Sequence, residues 1–269
     1  MTADPDTMRD ITPRTPPAPL NEAERARIKA LAARQHAASG VLMQVVTFLG
    51  GQVEDGLKLL PDTTRTRLDG AAVRALRASY DAAGRSRGGI GRAVASDRAH
   101  KALASVSGAI GGLGGLPTAL AELPIATTMI FRAVQHVAET HGEDPTAPET
   151  RAQCLMVFGK GGHGKEDDGV DTSFIGARIG LSGAAINKLI SKVAPQFATV
   201  LGQKLAGQAV PILGAAAGAG TNYTFVSYYT DIAHVHFGLR SLARDFGENE
   251  VADAFHEELS KLTGPLLKA

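Results

Sequence analysis

The amino-acid sequence predicts an all-α fold, a single helical domain carrying two Gly/Ala-rich apolar helical hairpins. Apolar residues recur at three- and four-residue steps along most of the chain, and no convincing alternating run marks a strand. Hydrophobic residues make up 44% of the 269 residues but aromatics only 5%, with 31 Gly and no Trp, so the interior must come from small and aliphatic side chains. Such side chains let helices approach closely, and the length suits one shared core.

The start, "MTADPDTMRDITPRTPPAPL", has five prolines in twenty residues and almost nothing to bury, so residues 1–20 are expected to be a disordered tail, with the helical domain over 21–269. Asn21 followed by Glu24 predicts a capping box. The helix it opens carries Ile28, Leu31, Ala38, Leu42, Val45 and Leu49 and ends at Gly50-Gly51. After Pro61, Leu68, Ala72, Leu76 and Tyr80 outline a second amphipathic helix, closed by "GRSRGGIGR", whose Arg85, Arg87 and Arg92 are expected in a solvated connection. A third helix is expected from about Pro124 to Thr140, with Gly142 just past its end. A helical pattern then leads into Gly159, and residues 159–172 form a mobile hydrophilic loop. "SFIGARIGLSGAAINKLISKVAPQFATVLGQKL" is expected as one or two helices interrupted near Pro195, and Val251, Phe255, Leu259 and Leu262 mark a last helix stopped by Gly264-Pro265.

Two segments differ in kind. Residues 102–121 and 205–230 hold 20 and 26 residues without a charged group, long enough to cross a bilayer if helical. In the first, Leu103, Val106, Ile110, Leu113, Leu116 and Leu120 together favour insertion by roughly 2–4 kcal/mol, whereas a central Glu122 costs about 2.5–3.5 kcal/mol. Gly207, Pro211, Gly214, Gly218, Gly220 and Asn222 dilute the second. Both carry small residues four apart (Gly108/Gly112, Gly111/Gly115, Gly214/Gly218, Ala215/Ala219), spacing that brings backbones together in lipid or in a protein core. Buried helices and membrane insertion both remain open.

Lys+Arg 28 against Asp+Glu 27 leaves a formal charge of +1, which gives no chain-wide attraction for nucleic acid. One cysteine and no charged-then-apolar leader make a reducing, cytoplasmic location the expectation. Gly159 to Lys165 satisfies GxxxxGK, but Glu166 stands where Ser or Thr would hold magnesium, and "EDDGVD" follows where a helix is needed, so no nucleotide is expected at 159–166. No H-E-x-x-H and no Cys/His ligand spacing occur, so no metal or cofactor is implied. Cys154, amid "CLMVF", is expected as an inert buried thiol. His234 and His236, two apart on a helix, point to opposite faces, whereas Asp231 shares a face with His234, and Arg132, His136 and Glu139 share another. Glu122 and Asn222 are polar groups in apolar surroundings that need partners, and with Arg132, His234 or Arg240 they are expected to form one polar cluster between the two hairpins.

"GGLGGLPTALAELPIATTMIFRAVQHVAETHGEDPTAPETR" resembles the signature region of the EcsC family, through Gly115-Leu116-Pro117, Glu122, Pro124, Arg132, Gly142, Asp144 and Glu149-Thr150-Arg151. His141-Gly142-Glu143-Asp144 replaces the family's aromatic version of that stretch. A second motif agrees through Pro211, Gly214, Asn222, Tyr223, Ala233, His234, Phe237 and Arg240. The resemblance implies an accessory protein at the cytoplasmic membrane, peripheral or partly inserted, whose partner is membrane lipid or a membrane protein such as an ABC transporter linked to protein secretion. Two alternatives are a hydrolase or peptidase using Glu122, Asp231 and His234, and a soluble lipid-binding domain.

Overall fold

The computed structural model describes residues 18–50, 62–85, 115–160, 182–207 and 214–263. Among them the regular elements are helices, and no strand occurs. In chain order they are α1 (Glu22–Gly50), α2 (Asp62–Arg85), α3 (Gly115–Thr140), α4 (Pro148–Phe158), α5 (Gly183–Gly207), α6 (Gly214–Phe246) and α7 (Glu248–Thr263). Residues 1–17, 51–61, 86–114, 161–181, 208–213 and 264–269, which include most of the expected 159–172 loop, lie outside the described residues.

The helix ends follow from local chemistry. Asn21 Oδ1 accepts from the amides of Ala23 (2.8 Å) and Glu24 (3.3 Å), while the Asn21 amide donates to Glu24 Oε2 at 3.3 Å, completing the expected capping box of α1. Leu20, in the expected tail, is instead buried, and its amide donates to Glu250 of α7. At the far end of α3, Gly142 adopts φ +80°, its amide donates to the Glu139 carbonyl, and the Glu143 amide reaches the Ala138 carbonyl. This is a Schellman closure, and the left-handed conformation it requires is why glycine follows the helix. Gly247, at φ +91°, breaks the chain between α6 and α7.

Two expectations are corrected. α3 starts at Gly115, not near Pro124, and α5 runs unbroken through Pro195. A helical proline forfeits one backbone bond at roughly 3 kcal/mol. Both prolines are exposed, and apolar residues beside them stay in the core: Ala126 and Ile130 after the first, Val193, Ala194, Phe197 and Ala198 around the second. At about 1.5–3 kcal/mol for each large apolar side chain, that burial outweighs the missing bond.

The main core is drawn from α2 to α6, with Ala38 of α1. Phe158 sits in it, its ring 5.9 Å from Phe131, 5.1 Å from Phe197 and 5.0 Å from Tyr229, joining α3, α4, α5 and α6 through aromatic contacts. A second core gathers Leu20, Ile28 and Ala32 with Val235, Leu239 and Leu242 of α6 and Val251 and Phe255 of α7. α1 crosses α6 closely at Gly238, where an added Cβ would lie 3.0 Å from both Leu31 methyls and 3.5 Å from His141 Cε1.

Phe158→Ala is expected to lower unfolding free energy by about 3–5 kcal/mol in denaturant titrations. Gly238→Ala is expected to cost about 1–3 kcal/mol through overpacking, with part of the loss recovered when Leu31→Ala is added.

Candidate functional site

α3 and α6 run parallel. Ala126, Thr127 and Ile130 of α3 line one small cavity with Asn222, Phe225 and Tyr229 of α6, and further along His141 meets His234. The first turns of the two helices therefore lie at the same end of the bundle. The Asn222 cavity measures about 20 Å³, room for a water molecule and far short of an acyl chain.

The opposite end carries a compact polar site. The Schellman turn after α3 presents His141 and Glu143 to α6, and Arg34 reaches in from α1. His141 Nε2 lies 3.2 Å from His234 Nδ1, with the rings edge to face at 5.4 Å. Arg34 Nε donates to Asp231 Oδ1 at 3.0 Å. Glu143 Oε1 accepts from Arg244 Nη1 at 3.0 Å and lies 3.5 Å from Arg240 Nε, an ion contact rather than a hydrogen bond. Arg244 Nη2 also donates to the His141 carbonyl, satisfying an acceptor at the end of α3.

Burial lowers the His141 pKa, and the positive charges of Arg27, Arg34 and Arg244 lower it further against the opposing pull of Glu143. His236, on the other face of α6 as its spacing predicts, is fully buried; its Nε2 meets Gln153 Oε1 at 2.8 Å, which fixes that nitrogen as the donor. Burial, with Lys160 and Arg240, holds it neutral well below the usual histidine range. Burial pushes the Cys154 thiol far up, leaving no reactive thiolate near neutrality.

The sequence-derived candidates divide between the two ends. His234 and Arg240 join the polar site, and Asp231 joins through Arg34. Asn222 is buried at the cavity, roughly 18 Å from His234 and 27 Å from Arg240 at the helical rise. Glu122, whose side chain lies outside the described residues, sits on α3 roughly 28 Å from His141. Arg132, half-buried, lies between. Because α6 is one continuous helix over 214–246, Asn222 does not share a site with His234 or Arg240, and Glu122, far back along α3, is distant from Asp231 and His234. His141, Glu143, Arg34 and Arg244 complete the observed site. Gly142 signals the turn that presents the first two, while their partners emerge only from packing.

Among the described residues no group of three or more His, Cys, Asp or Glu side chains is arranged to hold a metal, and no helix is long and apolar enough to cross a membrane. Residues 87–242 match the model of the EcsC protein family. No curated protein and no solved structure matches the chain. The matched span contains His141, Glu143, His234 and Arg240, while Arg34 and Arg244 lie outside it.

Glu143→Gln leaves the mostly buried Arg240 without its counter-ion and is expected to cost about 1.5–3 kcal/mol in chemical denaturation, a loss that Arg240→Met in the same chain largely reverses. Asp231→Asn, whose partner Arg34 is more exposed, is expected to cost less than about 1 kcal/mol.

Proposed function

The chain belongs to the EcsC protein family, and from that premise we propose that it is an accessory protein that associates with the cytoplasmic face of a membrane, binding lipid or a membrane partner rather than catalysing a reaction. The observation that carries this reading is a pair of exposed apolar side chains in the N-terminal halves of the two parallel helices. Ile125 on α3 is 59% exposed and Tyr223 on α6 is 50% exposed, and each is the neighbour of a residue lining the shared Asn222 cavity. In the sequence Tyr223 lies within the uncharged segment 205–230, and Ile125 follows the uncharged segment 102–121 after the single carboxylate of Glu122.

An isoleucine entering the acyl boundary and a tyrosine at the headgroup level form a suitable anchor pair. Their burial supplies about 1.5–3 kcal/mol each at most, enough for reversible attachment when the adjoining low-charge segments contribute too. Lipid is favoured as the primary contact over an enclosed ligand, because the Asn222 cavity is too small for a chain. An ABC transporter linked to secretion is the membrane partner that the family resemblance implies. The hydrolase alternative loses support because Glu122 and His234 sit at opposite ends of the parallel helices.

Co-sedimentation with phosphatidylcholine/phosphatidylglycerol vesicles tests the reading. The wild-type chain is expected to pellet with vesicles, and the double variant Ile125→Glu, Tyr223→Glu to bind at least about tenfold more weakly while keeping its helical circular dichroism. A wild-type chain that stays in the supernatant at every lipid concentration refutes membrane attachment.

A further inference from the structure

The contact between His141 and His234 joins two parts of the chain that lie 93 residues apart. It pins the turn after α3 to α6 together with the Arg240 and Arg244 contacts to Glu143 and the His141 carbonyl, and Gly142 beside it has the backbone freedom of a left-handed glycine. A 3.2 Å approach of two imidazole nitrogens has room for one proton between them, so one ring donates and the other accepts. Two such nitrogens also have nearly the spacing of two ligands on a tetrahedral ion, roughly 3.3 Å. A cation is disfavoured by what surrounds them. Arg27 and Arg34 of α1 and Arg244 of α6 act on His141, Arg240 stands behind Glu143, and the two carboxylates, Asp231 and Glu143, are already engaged by arginines.

We propose that the His141–His234 contact is a proton-operated clasp, holding the α3–α4 turn against α6 while the pair is neutral and releasing it when the rings take up protons. In the released state each ring reaches water and binds a proton near the ordinary histidine pKa of about 6.5. In the closed state proton uptake by His141 is opposed by burial and by the arginines on both flanking helices; Glu143, the carboxylate two residues on, only partly offsets them. The sign follows from linkage. A histidine whose pKa is depressed in the closed state stabilises that state fully above about pH 6.5, and the stabilisation drains away as pH falls through the window below it. A single added proton leaves one ring donating to the other, so release requires a proton on both facing nitrogens; a ring barred from protonation in the closed state favours release by up to about tenfold between roughly pH 7.5 and pH 5.5.

Hydrogen–deuterium exchange on the full chain reads this directly. Protection of residues 141–147, corrected for intrinsic exchange rates, is expected to drop several-fold, up to about tenfold for each titrating ring, from roughly pH 7.5 to pH 5.5, while α7 keeps its protection. His141→Gln and, separately, His234→Gln retain a hydrogen-bonding side chain that does not titrate, and each is expected to remove most of that pH response. The proposal is overturned if the wild-type turn shows no such loss. It is equally overturned if both variants keep the full response, or if α7 loses protection in step with the turn, which would mark general acid unfolding driven by buried His236.

Discussion

The unbroken course of α6 is the constraint on which the rest of the molecule depends. Its 33 residues place Phe225, Tyr229, Ile232 and Phe237 in the main core and Val235, Leu239 and Leu242 in the second core. The helix is therefore apolar on more than one side over its middle, as expected of an element enclosed by neighbours rather than lying on a surface. α3 packs along it in the same direction, and α1 and α7 cover its other flank. Because both cores use one rigid rod, the spacing of everything attached to it is set by the helical rise.

That rise separates two environments. Toward their N-terminal halves α3 and α6 meet around a cavity of about 20 Å³ lined by Ala126, Ile130, Asn222 and Phe225, with the exposed Ile125 and Tyr223 beside it. The later turns meet through charge: two carboxylates, two histidines and arginines from α1 and α6. A glycine-closed turn makes the second environment possible, since the Schellman bonds of Gly142 and Glu143 aim His141 and Glu143 back across α6. Gly238 helps by omitting a Cβ that would crowd Leu31 of α1. The family-matched span supplies the turn and most of α6, while Arg34 on α1 arrives from outside it.

Much of the architecture is legible in local sequence because its causes are local. The Asn21–Glu24 box, Gly142 after α3, and the three- and four-residue recurrence of Leu68, Ala72, Leu76 and Tyr80 are written in neighbouring residues, and each of those four side chains is buried. The prolines are where local rules mislead. Pro124 and Pro195 each remove a backbone donor, and only the tertiary burial of Ile130, Val193 and Phe197 explains why the helices continue through them.

The sequence by itself determined the all-α class, the family and the opposite-facing roles of His234 and His236, because composition, periodicity and a 3.6-residue turn need no knowledge of partners. Only the tertiary structure decided which polar residues meet. Asn222 and Arg240 are similar as isolated candidates, yet a straight helix keeps them about 27 Å apart. Glu143 and Arg240, nearly a hundred positions apart in sequence, are brought into contact because α3 happens to end in a turn beside α6. Contacts between distant segments depend on helix direction, register and crossing, and none of these is encoded in the spacing of residues along a single element.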